Sequence, residues 1–162
     1  MAWGIPDLTA FLTDDLGLTL LGTDDEAEQL EVGLSGGEAD EVHPTTLRLA
    51  GSVAEARVLW VDVRYPFTAP DLDAARIAGA RLHPYLALGH TEVDDDGSLH
   101  HRYAMPVDTT SPLPAGLLAQ ALSVLSYEQV HFGDYLEALC RGDVEVDLFA
   151  ELVARGEAAE LG

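Results

Sequence analysis

The stretch from residue 86 to residue 140 constrains the fold most, because its pattern predicts a β-hairpin followed by a long helix. Residues 86–93 and 99–107 have strand patterns, and Asp94, Asp95, Asp96 and Gly97 separate them. Asp-Gly between two apolar-bearing runs favours a hairpin, since glycine tolerates a positive φ. Residues 117–139 then predict a helix that covers the hairpin.

Two periodicities indicate which side chains of this stretch meet in the core. Period-two alternation puts five residues of the second strand on one face: Leu99, His101, Tyr103, Met105 and Val107. Steps of four and three along the helix give one apolar stripe, made of Leu118, Leu122, Leu125, Phe132, Leu136 and Leu139. Gln129 occupies the one position of this pattern that is not apolar. The strand face and the helix stripe are therefore expected to pack together.

The segment GHTEVDDDGSLHHRYAMP, followed by a helix with late aromatic residues, resembles the YbjN family of bacterial proteins. That family shares the fold of the type III secretion chaperones. The resemblance runs over residues 60–139 and includes no catalytic signature. It implies a non-enzymatic, chaperone-like or regulatory protein-binding domain that forms a homodimer.

The rest of the chain supports an α+β fold. We expect a twisted antiparallel sheet of about five strands, with helices packed on one face and a C-terminal helix appended. Pro6 opens a first helix, and Asp71 is a natural N-cap for a helix through residue 82 that is rich in small residues. We divide the chain into one domain over residues 1–142 and a helical extension over residues 143–162.

The charge of the chain limits its partners. All eight basic residues are arginine, and 29 acidic residues leave a net charge of −21. Such a field repels phosphate backbones and anionic lipids, so we expect no nucleic-acid or membrane partner. It favours a basic protein partner, solubility or life in high salt, or it is simply a solvated acidic surface.

The cysteine content and the N-terminus predict a cytoplasmic protein. Cys140 is the single cysteine, so no internal disulfide can form, which is typical of a reducing compartment. Its helical position near Leu136 and Leu139 favours a buried structural thiol. Asp7, Asp14 and Asp15 do not fit a signal peptide.

The sequence also contains residues that could support an enzymatic function instead of a binding function. His90, Glu92 and His101 could form the site of a small enzyme or of an enzyme accessory subunit. Their spacing does not match a zinc site, and neighbouring strand residues such as His100 and His101 point to opposite faces. The acidic run at residues 92–97 resembles the start of an EF-hand calcium loop, but Tyr103 stands at the twelfth position, where a bidentate glutamate is needed. We therefore predict no metal and no cofactor.

Trp60 is the candidate anchor for a partner. It alternates with Leu59 and Val61, so it lies on the face opposite the core strand residues. Either that face is uncovered and Trp60 contacts a partner, or a second helix buries it. In the C-terminal extension, Leu148, Phe149 and Leu152 are further candidates for a partner or dimer contact.

Overall fold

The computed structural model describes residues 2–35, 42–53, 56–148 and 151. One antiparallel sheet of six strands, in the order β1-β2-β3-β4-β6-β5, forms the frame of this part of the chain. Its strands are β1 (Thr19–Asp24), β2 (Gln29–Ser35), β3 (Val42–Val53), β4 (Ala56–Thr68), β5 (His90–Val93) and β6 (Ser98–Val107). Its helices are α1 (Ile5–Ala10, continued by a π-helical segment, Phe11–Asp15), α2 (Leu72–Leu82, followed by a 3-10 turn, His83–Tyr85) and α3 (Ala115–Arg141).

The predicted fold class is confirmed, and the strand number is corrected from about five to six. The short strand β1 pairs with β2 along its whole length, with one register shift between Leu20 and Gly22. Helices cover one face of the sheet, because strand and helix side chains share the same buried clusters. Most alternate strand residues on the other face are exposed or half-buried, so the described helices leave that face open.

Two buried clusters hold the helices against the sheet. The larger joins α1 and the first half of α3 to the strands, and it includes Leu8, Leu12, Leu47, Val61, Leu118 and Leu125. The smaller joins α2 and the second half of α3 to the ends of β4 and β6, and it includes Tyr65, Leu82, Leu99, Tyr135 and Leu136. All the predicted stripe residues of α3 are buried, and so is Gln129. The period-four-and-three spacing therefore identified the core face of α3 correctly.

The hairpin forms around the predicted turn. Gly97 has φ +84°, and a Cβ there would lie 2.6 Å from the carbonyl oxygen of Ala69, so glycine is required. The backbone N–H of Asp94 donates to the carbonyl of Ser98 across the turn at 2.9 Å. The first strand is shorter than predicted: it begins at His90, since Gly89 (φ +70°) ends a loop over residues 86–89.

The predicted boundaries of α2 and α3 also agree with the structure. Asp71 caps α2 by accepting the N–H of Ala74 at 3.0 Å, and the small residues of α2 let β5 approach closely. An ideal Cβ on Gly79 would lie only 3.5 Å from the Thr91 side chain. Helix α3 continues through Gly133 and ends where Gly142 adopts φ +80°.

The start of the predicted C-terminal extension contacts the domain. Val144 and Val146 pack against the smaller cluster, and Arg81 Nη1 donates to Asp147 Oδ1 at 2.8 Å. Leu148 is 48% exposed. Phe149 and Leu152, where we predicted further contacts, lie outside the described residues. In the described part of the chain, none of the helices combines the length and apolar character that a membrane span requires.

Candidate partner-binding surface

Trp60 lies on the open face of the sheet. Its indole is 38% exposed, whereas its neighbours Leu59 and Val61 are buried in the larger cluster. No described helix covers this part of the sheet, so the alternative in which a second helix buries Trp60 is not what the structure shows. The strand alternation thus predicted the face of Trp60, and the arrangement of the helices determines its exposure.

The cross-strand neighbours of Trp60 shape a concave surface. Arg48 on β3 and Ala104 on β6 lie directly across from it. Because Ala104 is small, it leaves room beside the indole ring. The resulting concavity, which we call the Trp60 groove, has a volume of about 450 Å³. It is lined by Gln29, Thr46, Arg48, Trp60, Val61, Asp62, Glu92 and Arg102.

A network of ion pairs forms one wall of the Trp60 groove. Asp62 is its centre: Oδ1 lies 2.8 Å from His100 Nδ1, and Oδ2 accepts from Arg102 Nε at 3.0 Å. Arg102 also donates to Glu92, whose other oxygen lies 2.7 Å from His90 Nε2. These contacts, first the hydrogen bond from His90 and then the charge of Arg102, lower the pKa of Glu92. The wall is therefore pre-organised and charged.

The opposite side of the Trp60 groove has an arginine that pairs with none of the described carboxylates. Five described arginines form ion pairs with acidic side chains: Arg57, Arg76, Arg81, Arg102 and Arg141. Within the described residues, Arg48 and Arg64 form no such pair, and both lie on the open face. Arg64 donates instead to Ser98 Oγ at 3.1 Å. In a chain this acidic, Arg48 offers an available cationic donor directly beside Trp60.

The three residues of the rival enzymatic site do not converge. His90 and Glu92 are in contact on the open face, but His101 points into the core. Its Nε2–H donates to the carbonyl of Leu88 at 2.7 Å. Burial lowers the pKa of His101. In the described part of the chain, no group of three or more histidine, cysteine, aspartate or glutamate side chains is arranged to hold a metal ion.

Glu128 is a buried acid that the sequence interpretation missed. It is only 3% exposed, and its Oε1 accepts a hydrogen bond from the backbone N–H of Ala87. Burial raises the pKa of this carboxyl group. A signal was present, because Glu128 follows Leu125 by three residues and precedes Phe132 by four, which is the spacing of the buried stripe. The composition obscures that signal, because in a chain with 29 acidic residues most acidic side chains are expected on the solvated surface.

Two other features bear on the candidate contacts. Leu20 and Leu21 are exposed on β1, whose outer edge has no paired strand in the described chain.

Cys140 is buried, and burial raises the pKa of its thiol to about 11. The cysteine is therefore the structural thiol that its helical position predicted, and it takes no part in the Trp60 groove.

Comparison of the chain with models of known protein families and with curated protein sequences found no match.

Proposed function

We propose that this chain is a non-enzymatic protein-binding domain, chaperone-like or regulatory, that holds a partner segment in the Trp60 groove. The exposed indole of Trp60 on the sheet face without helices carries this proposal. Binding energy in protein interfaces concentrates in a few aromatic and arginine anchors set in concave surroundings. Trp60 and Arg48 are such a pair, side by side on neighbouring strands.

The shape and charges of the groove favour a peptide segment as the occupant. The groove is lined by residues of β2, β3, β4, β6 and β5, so it runs across several strands. Arg48 on one side and the Asp62–Glu92 carboxylates on the other offer groups that suit backbone carbonyls, amides and side chains of either charge. The net charge of −21 adds a long-range attraction for a basic partner.

The resemblance to the YbjN family supports the same proposal. Chaperones of the related fold bind extended partner segments, and a homodimer is the assembly that the resemblance implies. The exposed Leu20 and Leu21 on the free edge of β1 and the exposed Leu148 are surfaces that a second copy could cover. We infer a cytoplasmic homodimer on this basis.

Affinity capture from native lysate with wild-type protein and two single variants tests the binding function. Trp60→Ala removes the anchor, and Ile77→Ala removes an exposed apolar side chain of α2 that does not line the Trp60 groove. We expect mass spectrometry to show proteins that wild type and Ile77→Ala both capture and Trp60→Ala loses. Identical capture by wild type and Trp60→Ala, with all three proteins folded by circular dichroism, would show that Trp60 anchors no partner.

Light scattering of a shortened chain tests the dimer. Truncation after Leu148 keeps Val144, Val146 and Asp147, which contact the domain, and removes residues 149–162. If the extension supports the dimer contact, the shortened chain shifts towards the monomer mass. An unchanged dimer would assign the contact to another surface, and a monomeric wild-type chain would exclude the homodimer altogether.

A further inference from the structure

A second concavity lies on the helix-covered side of the molecule, away from Trp60. The 3-10 turn before β5 and the outer surface of α3 enclose it, and its volume is about 600 Å³. We call it the aromatic groove. Its lining includes Tyr85, Val124, Tyr127, Glu128, His131 and Phe132.

The rings of the aromatic groove are arranged with accessible faces. The rings of Tyr127 and His131 stack with centroids 5.2 Å apart and 14° between their planes. The ring of Phe132 meets His131 edge-on, at 4.9 Å and 79°. Tyr127 is 65% exposed and Tyr85 is exposed on the opposite side of the groove. Tyr127 and Tyr85 therefore offer exposed aromatic rings to a ligand.

Glu128 places an unsatisfied carboxylate oxygen behind this aromatic surface. Its Oε1 accepts from Ala87, and the backbone N–H of Leu88 also favours the charged form and acts to lower the pKa, whereas Oε2 has no donor in hydrogen-bond geometry among the described residues. His101 Nε2 lies 3.6 Å from that oxygen but directs its N–H to the carbonyl of Leu88. None of the described arginines lines the groove. The groove thus combines aromatic faces with a buried acid that no internal cation neutralises.

We propose that the aromatic groove binds a cationic side chain, an arginine or a lysine, from a basic partner segment. This inference rests on the proposed function only in taking the partner to be a protein, since the site is separate from the Trp60 groove. Aromatic faces attract a cation through their quadrupole, and a nearby carboxylate strengthens that attraction where water is excluded. An apolar side chain would gain burial alone and would leave the charge of Glu128 without a counterion.

Two short glycine–serine peptides probe the groove directly, one with a central arginine and one with citrulline, its neutral counterpart. In nitrogen–proton correlation NMR, we expect the arginine peptide to shift the signals of α3 around Tyr127 and His131. We expect Tyr127→Leu to weaken this binding by roughly threefold to thirtyfold, as loss of a cation–π contact predicts. Tyr127→Phe, which keeps the ring, is the matched control and should bind like wild type.

Two further variants test the role of the acid in the aromatic groove and the independence of this groove from the Trp60 groove. Glu128→Gln keeps an acceptor for Ala87 and removes the charge, so it should reduce the preference for arginine over citrulline. Trp60→Ala should bind the arginine peptide as wild type does, even if it loses captured partners. Equal binding of the arginine and citrulline peptides would overturn the proposal. So would full binding by Tyr127→Leu, because the arginine would then be held elsewhere on the acidic surface.

Discussion

His100 and His101 are neighbours on β6, yet they lie in opposite environments. His100 is on the open face, where its two ring nitrogens contact Asp62 and Asp94 at 2.8 and 3.4 Å. His101 is fully buried on the helix side, with Leu88 and Glu128 as its polar neighbours. The two faces of the sheet thus use the same residue types differently. On the open face, partly exposed ion pairs surround Trp60; on the covered face, isolated polar groups sit inside the core.

This comparison predicts which substitutions affect the stability of the fold and which affect partner binding. Exposed ion pairs contribute little to stability, since water screens them and holding the side chains in place costs entropy. A buried polar group is costly when it loses its hydrogen-bond partner. Substitutions on the covered face should therefore affect folding, and substitutions on the open face should affect binding.

The largest expected difference is between the adjacent residues Leu59 and Trp60. Leu59 is 1% exposed, so Leu59→Ala should lower the free energy of unfolding by about 2–5 kcal/mol through lost burial and a cavity. Trp60→Ala on the open face should lower it by less than about 1 kcal/mol. Urea denaturation of both variants measures this difference. A large loss of stability in Trp60→Ala would make Trp60 a core residue and remove the basis for a binding face.

A smaller difference is expected between two acids, Glu128 and Glu92. Glu128→Ala removes the acceptor of the part-buried hydrogen bond from Ala87 and truncates a side chain that is only 3% exposed, so we expect a loss of about 1–3 kcal/mol in the free energy of unfolding. Glu92→Ala breaks contacts with Arg102 and His90 that are partly exposed, and should cost less than about 1 kcal/mol. Denaturant titration at pH 7 compares the two. The reverse order would show that the open-face network, and not the core acid, stabilises the fold.

The smallest expected effect is a pH dependence from His101. Burial lowers the pKa of His101 in the folded state below the ordinary value of 6.5, so the unfolded chain takes up a proton first as the pH falls. The stability that this residue contributes is present above pH 6.5 and is lost below it. The pKa of Glu128 is raised, so its own contribution has the opposite sign and is lost as the pH rises above its ordinary value of 4.5.

The variant His101→Gln separates the two contributions, because glutamine can keep the donor to Leu88 but does not titrate. The stability difference between wild type and His101→Gln should shrink as the pH falls from 7.5 to 5, while the other titratable groups are common to both proteins. Urea denaturation across this range is the measurement. A constant difference would mean that His101 is protonated equally in both states.

Local signals predicted much of the fold. The Asp94–Gly97 turn, the Asp71 cap and the stripe of α3 each depend on residues close in sequence, and all three are present. The loop at residues 86–89 was missed, because its alternating leucines imitate a strand and only the backbone of Gly89 reveals the bend. The exposure of Trp60 depends on which elements pack together, which composition and periodicity do not determine. The burial of Glu128 follows the spacing of the α3 stripe, but an acidic side chain is rarely placed in a core from its sequence alone.

The most direct test of the Trp60 groove uses 5-fluorotryptophan in place of both tryptophans. Trp3 is buried in the larger cluster and Trp60 is on the open face, so the two fluorine signals report the two environments within one protein. Trp3→Phe assigns them. The account predicts that addition of the captured partner shifts or broadens the Trp60 signal and leaves the Trp3 signal in place. A Trp60 signal unchanged at saturating partner would contradict it, because the partner would then bind away from the open face.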